Sequence, residues 1–112
     1  MTEVDPEAEA GVFRALADST RRQILEDLRP GELTAGDIAA RFPISGPSIS
    51  RHLGVLKAAG LVRERRAANR IYYSLVEERL ALCVGRFLST ICPEQVVVRQ
   101  RRQRTTKQKD AG

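Results

Sequence analysis

The chain has little of what catalysis, metal binding or single-strand recognition requires. Its 112 residues include one histidine, two cysteines and no tryptophan, and aromatic residues make up 4% of the total. A platform on which unpaired bases stack is therefore not expected. Two cysteines are too few for a disulfide framework. The common phosphate-binding, dinucleotide-binding and zinc-protease motifs are also missing from the sequence. We predict that the protein is not an enzyme and uses no cofactor.

Long apolar runs are missing as well. The most apolar part of the chain, residues 80–91, is interrupted by Arg86 and is too short to cross a bilayer. The first ten residues are acidic and do not resemble a basic, apolar secretory leader. We therefore predict a single-domain cytoplasmic protein that does not enter the membrane.

Positive charge is concentrated in two segments. The net charge is +5, although residues 1–44 carry nine acidic against five basic side chains. Residues 45–72 carry six basic side chains and one acidic side chain, Glu64, and residues 93–112 carry six basic and two acidic. A distribution of this kind is typical of a protein that binds a polyanion.

Capping residues and apolar periodicity predict four helices in the first sixty residues. Asp5-Pro6, Asp18-Ser19 and Ser45 are residue types that begin helices, and Thr34 with Asp37 resembles a capping box. Each start is followed by apolar residues at helical spacing. The predicted stops are Arg29-Pro30-Gly31, Phe42 before Pro43, and Gly60.

After the fourth helix the pattern changes to that of a β-hairpin. Leu61–Arg66 and Arg70–Leu75 are rich in residues that favour strands. Residues 67–69 form the predicted turn, in which Asn69 is able to tolerate a left-handed conformation. Residues 76–91 return to a helical period.

These elements predict a mainly α fold with one small β-hairpin, in the order α-α-α-α-β-β-α. The short third helix, the tight turn and the capped fourth helix form a helix-turn-helix, and the hairpin makes it winged. We expect one domain over residues 1–92 and a basic, disordered tail over residues 93–112.

The fourth helix has two contrasting faces. Ile49, Leu53 and Leu56 share the side that is predicted to be buried. The opposite side carries Arg51 among small residues, which would allow the helix to enter a DNA major groove about 12 Å wide. An ordinary solvated face is the better interpretation of such a surface in isolation. The adjoining turn and basic hairpin favour DNA binding instead.

Three sequence motifs resemble those of the arsenical-resistance-repressor (ArsR) family of winged-helix transcriptional regulators. They are ALADSTRRQIL, SGPSISRHLGVLKAAGLV and RIYYSL, at residues 15–25, 45–62 and 70–75. The resemblance runs from about residue 12 to residue 80. It implies a homodimer that binds double-stranded operator DNA and represses transcription. It also implies that residues 45–52 read the groove while the wing contacts the DNA backbone.

The predicted DNA contacts lie on the fourth helix and the hairpin. They are Ser45, Gly46, Ser48, Ser50, Arg51, His52, Lys57, Arg63, Arg65, Arg66, Asn69, Arg70 and Tyr72. The chain departs from the family where metals usually bind. Thr34 and Gly36 stand where many members carry a cysteine pair, and the last helix has no histidine. We therefore predict a repressor of a palindromic operator without the usual metal site.

The terminal helices are predicted to form the dimer interface. An apolar stripe on the last helix spans about 100° of arc. A helix that packs only within its own chain is the alternative. The predicted interface residues are Phe13, Leu16, Leu80, Val84, Phe87, Leu88 and Ile91.

The two cysteines leave a second function open. Cys83 and Cys92 are nine residues apart, which puts them on opposite sides of one helix. They are most simply explained as small packing residues. The alternative is a repressor that responds to thiol oxidation or to a soft metal, in which Cys83 meets Cys92 of the partner subunit.

Overall fold

Five helices and three strands make up residues 5–96, the part of the chain that the computed structural model describes. In chain order they are α1 (Pro6–Leu16), α2 (Ser19–Leu28), β1 (Leu33–Thr34), α3 (Ala35–Ala39), α4 (Gly46–Ala58), β2 (Val62–Ala67), β3 (Arg70–Leu75) and α5 (Glu77–Ile91). The predicted mainly α, winged helix-turn-helix fold is confirmed. Residues 93–96 form one further helical turn, and the rest of the predicted tail lies outside the described residues.

The starts of α2 and α4 show the predicted caps. The Asp18 side chain accepts a hydrogen bond from the backbone N–H of Arg21 at 3.1 Å. Ser45 Oγ accepts one from the backbone N–H of Ser48 at 3.2 Å. Asp5 precedes α1 as predicted, but its side chain makes no capping hydrogen bond. The caps of α2 and α4 satisfy backbone N–H groups that have no partner within the helix.

The third helix begins as predicted and ends earlier. Asp37 donates its backbone N–H to Thr34 Oγ1 at 3.0 Å, and Thr34 donates its own to the Asp37 carboxylate at 3.4 Å. α3 ends at Ala39, before the predicted stop at Phe42. Phe42 packs against the core from outside the helix. The chain thus leaves the helix before the restriction imposed by Pro43 applies.

A third strand corrects the predicted element order. β1 pairs antiparallel with β3, with Leu33 opposite Tyr73 and Thr34 opposite Tyr72. The sheet order is therefore β1-β3-β2, and the wing is more than an isolated hairpin. A two-residue strand has no alternating pattern of its own, so only its distant partner defines it. The pairing connects the start of α3 to the wing.

The core lies between the helices and one face of the sheet. The inward face of α4 is confirmed, because Ile49, Leu53 and Leu56 are each at most 3% exposed. The other buried core residues are Val12, Ala15, Ile24, Leu25, Leu28, Ile38, Leu61, Val62, Tyr73 and Cys83.

Gly60 ends α4 as predicted. It has φ +77°, a conformation that favours glycine because a Cβ atom is disfavoured there. Its N–H donates to the Lys57 carbonyl, and the N–H of Leu61 donates to the Leu56 carbonyl, both at 3.0 Å. This is the Schellman arrangement, and it turns the chain directly into β2.

The turn of the wing is shorter than predicted. Ala67 pairs with Arg70, so Ala68 and Asn69 alone form the turn. Ala68 has φ +55° and is the only non-glycine residue of the described chain with positive φ. A positive φ at the first central position is typical of a type II′ turn, which favours glycine there. The predicted turn over residues 67–69 is one residue too long, and the two-residue turn requires the left-handed conformation at Ala68.

We predict that Ala68→Gly stabilises the protein. The left-handed conformation costs an alanine about 1–2 kcal/mol, and the greater freedom of glycine in the unfolded chain offsets about 0.5–1 kcal/mol. The free energy of unfolding in urea should therefore rise by about 1 kcal/mol. The control Ala67→Gly lies in β2 and should lower it. A loss of stability in Ala68→Gly would contradict the turn described here.

Candidate nucleic-acid interface

The outward face of α4 is a narrow ridge with little side-chain bulk. Arg51, Gly54 and Ala58 are exposed and lie opposite the buried face of the helix. A Cβ atom added to Gly54 would meet nothing within 4 Å. Within residues 5–96 no ion pair engages Arg51. The ridge therefore offers one exposed guanidinium and a backbone that another surface can approach closely.

The serines at the start of α4 have different surroundings. Ser45 Oγ donates to Ser48 Oγ at 2.9 Å while it caps the helix, and Ser48 is half-buried. Gly46 and Ser50 are exposed. Of the serines predicted to contact DNA, Ser50 is therefore the one without an internal hydrogen bond in the described chain.

One flank of α4 is held by His52. Its side chain is 19% exposed, and Nδ1 lies 3.3 Å from Arg21 Nη1 and 3.8 Å from the Asp18 carboxylate. Arg21 also donates to the carbonyls of Ala15 at 2.7 Å and Arg14 at 3.0 Å. The backbone N–H of Arg21 holds the pKa of Asp18 below its usual value. His52 thus joins α4 to the end of α1 and the start of α2, a contact that the sequence analysis did not predict.

The other flank of α4 is held by Glu64 of β2. The Glu64 carboxylate lies 3.4 Å from Lys57 Nζ and 3.4 Å from Arg66 Nε, and it accepts a hydrogen bond from the Tyr73 hydroxyl at 3.2 Å. We call Lys57, Glu64, Arg66 and Tyr73 the Glu64 cluster. Desolvation raises the pKa of Glu64, but the hydrogen bonds from Lys57, Tyr73 and Arg66 and the charge of Lys57 together outweigh it, so the pKa lies below its usual value. The carboxylate is therefore ionised at neutral pH.

The wing carries its arginines on both faces. Side chains alternate along a strand, so Arg63, Arg65 and Arg70 share the face away from the Glu64 cluster, and Arg66 lies on the other. Arg63, Arg70 and Asn69 are exposed. The arginines that are close together in the sequence are therefore divided between the two faces of the wing.

Arg65 is restrained on the outer face of the wing. Its Nη2 donates to the Glu32 carboxylate at 2.5 Å, and its guanidinium carbon lies 4.4 Å from the centre of the Tyr72 ring. The hydrogen bond that Arg65 donates to Glu32 raises the pKa of Arg65 above its usual value. Tyr72 therefore lies under Arg65 and is half-buried.

The polar partners that hold these groups are mostly distant in the sequence. Glu32 is separated from Arg65 by 33 positions, and Arg21 from His52 by 31. Separations of this length leave no local pattern. Among these partners, only Glu64 stands out in the sequence, because it is the single acidic residue between positions 45 and 72.

An exposed apolar face lies on α5. Phe87, Leu88 and Ile91 are 44%, 40% and 65% exposed. Leu82 is 38% exposed and lies on the opposite side of the helix. Three further predicted interface residues pack partly against the chain's own core: Leu16 of α1, and Leu80 and Val84 of α5.

Contacts with α1 hold α5 in place. The rings of Phe13 and Phe87 meet edge to face, with centroids 5.5 Å apart and planes at 71°. Arg86 donates two hydrogen bonds to the Glu9 carboxylate, at 2.9 and 2.5 Å. The hydrogen bond from Arg86 lowers the pKa of Glu9. α1 and α5 therefore present one joint surface.

The cysteines lie in different environments. Cys83 is 0% exposed and belongs to the core, whereas Cys92 is half-buried at the end of α5. The thiol-responsive alternative requires Cys83 at a surface that the partner subunit can reach. The burial of Cys83 supports the packing interpretation.

Residues 5–96 contain no group of three or more histidine, cysteine, aspartate or glutamate side chains placed to hold a metal ion. No helix among them is long and apolar enough to span a membrane.

Comparison with known proteins agrees with this geometry. Residues 16–65 match a family described as a helix-turn-helix domain. The chain is 55% identical over 64 residues to the transcriptional repressor SdpR of Bacillus subtilis, covering 57% of this chain and 71% of that protein. It is 34% identical over 85 residues to the biofilm growth-associated repressor of Agrobacterium fabrum, covering 75% and 73%.

A solved structure extends the match to most of the fold. The ArsR-like transcriptional regulator from Rhodococcus sp. RHA1 superposes with a TM-score of 0.68 and 34% identity, covering 91% of this chain and 92% of that one. Sequence motifs, helix-turn-helix and wing thus lead to one conclusion. The chain belongs to the ArsR family of winged helix-turn-helix transcriptional regulators.

Proposed function

We propose that the protein is a DNA-binding transcriptional repressor that acts as a homodimer on a palindromic operator. The observation that carries the proposal is the exposed ridge of α4, which is held on both flanks and stands beside a basic wing. The relatives SdpR and the biofilm growth-associated repressor are named as repressors. The ridge of α4 and the basic wing belong to the same surface of this chain.

The ridge of α4 is the proposed reading element. Small residues at positions 54 and 58 let the helix backbone approach the base edges in a major groove. Arg51 can donate two hydrogen bonds to the O6 and N7 atoms of one guanine. Gly46 and Ser50 are exposed at the start of the helix, where they would meet the DNA backbone. His52 and Lys57 lie at its flanks, where phosphates run.

The wing is the proposed backbone contact. Arg63, Arg66 and Arg70 are exposed, and Arg65 remains 54% exposed in its pair with Glu32. Each phosphate that they neutralise releases counterions. The logarithm of the binding constant should therefore fall linearly with the logarithm of salt concentration, by about 0.9 for each phosphate contacted.

The exposed apolar face of α5 is the proposed dimer interface. Phe87, Leu88 and Ile91 would be removed from water by the same face of a second copy. Phe13 of α1 extends this face through its contact with Phe87, and Leu16, Leu80 and Val84 lie beneath it. A twofold dimer carries two α4 helices, which suits half-sites about 10–10.5 bp apart.

We predict that Arg51→Ala reduces discrimination between operator and scrambled duplex. Loss of a bidentate hydrogen-bonded contact to guanine costs about 1–3 kcal/mol of binding free energy. An operator recovered by selection from genomic fragments and defined by footprinting would supply the specific duplex, and fluorescence anisotropy would give both dissociation constants. The control Arg29→Ala removes the same charge outside α4 and the wing. Unchanged discrimination in Arg51→Ala would show that α4 is not the reading element.

We predict that Ile91→Glu converts the dimer to a monomer. Ile91 is 65% exposed within one chain, so the substitution should leave the fold intact, whereas an unpaired carboxylate buried between subunits is strongly unfavourable. Sedimentation equilibrium gives the mass, and operator binding should weaken with it. The control Ser89→Glu adds the same charge on the opposite side of α5. A dimeric Ile91→Glu protein would exclude this face as the interface.

A further inference from the structure

Glu64 holds one flank of α4 but is not among the proposed DNA contacts. It is the only acidic residue in the basic segment 45–72, and a carboxylate close to DNA repels phosphates. Its side chain is 18% exposed and lies within 3.4 Å of cationic nitrogens on both Lys57 and Arg66. A residue that reduces DNA affinity at this position needs a compensating role.

The Glu64 cluster joins three elements that the proposed interface uses separately. Lys57 lies in the last turn of α4, Arg66 on β2 and Tyr73 on β3. Glu64 and Tyr73 are direct partners in the β2–β3 register, and Tyr73 is 8% exposed. The buried tyrosine hydroxyl thus fixes the carboxylate, and the carboxylate fixes one cation from the helix and one from the wing.

Fixing these cations affects the energetics of binding. A free lysine or arginine side chain loses conformational freedom when it is ordered, and that loss otherwise weakens binding. A free cation can also reach phosphates in any register of protein on DNA. A cation held in place makes its contact only when α4 sits in the groove at the matching depth.

We propose that Glu64 is a positioning residue for sequence discrimination: its carboxylate holds Lys57 of the reading helix and Arg66 of the wing at a set separation. The inference rests on the proposed function, since it concerns how the same surface discriminates between sequences. Glu64 restricts where the basic surface binds, and some total affinity is lost in return. Arg65 and Glu32 form a simpler pair on the opposite face of the wing, which supplies a matched comparison.

The test compares Glu64→Gln with Glu32→Gln in the full chain. Each variant loses one carboxylate beside the wing. Glu64→Gln should bind scrambled duplex more tightly, by roughly three- to tenfold, with a salt slope steeper by up to about one phosphate. Its discrimination in favour of operator should fall about tenfold, the effect of one misplaced specific contact. Glu32→Gln should raise affinity for both duplexes and keep the discrimination.

A second variant separates position from charge. Glu64→Asp keeps the charge and shortens the reach, so it should lose discrimination without the gain in scrambled-duplex affinity. Equal gains on both duplexes in Glu64→Gln would overturn the positioning role, because simple repulsion would then explain the residue. A similar loss of discrimination in Glu32→Gln would overturn it as well. Absence of discrimination in the unmodified protein would instead refute the proposed function.

Discussion

Burial of the inward face of α4 is the constraint on which the rest of the structure depends. Ile49, Leu53 and Leu56 are at most 3% exposed, and α4 packs on α1, α2, α3 and β2. Removing one such side chain costs about 2–5 kcal/mol, a large share of the stability of a small domain. These three contacts set the rotation of α4 about its axis. They are the reason that Arg51, rather than Lys57, points directly away from the core.

Polar contacts then determine how freely the flanks of that helix can move. His52 is engaged by Asp18 and Arg21, and Lys57 by Glu64. Ion pairs near a surface contribute about 0–1 kcal/mol each to stability, so they add little to the fold. Their effect is on orientation, because each reduces the number of positions that a long or polar side chain samples. The charged surface is therefore more ordered than its composition suggests.

Much of the fold could be predicted because its determinants are local. A cap such as Ser45 acts over three residues, and apolar periodicity identified the buried face of α4. β1 could not be predicted, since its two residues are defined only by pairing with β3. The choice between Ala68 and Asn69 depended on the length of the turn. The types of residue in the site could be predicted from the sequence. The restraint of Arg65 by Glu32 could not, because the two residues are 33 positions apart and leave no local pattern.

α5 shows how packing selects among apolar faces that composition alone does not distinguish. Cys83, at one edge of the predicted apolar stripe of α5, is the residue of this helix that is buried in the core. Phe87, Leu88 and Ile91 of the stripe remain exposed. Because α1 and α5 are joined by an ion pair and an aromatic contact, the exposed face is held in a fixed relation to the core that orients α4. A twofold axis through that face would therefore set the separation of two reading helices. In the proposed dimer, the spacing of the operator half-sites follows from the packing within one chain.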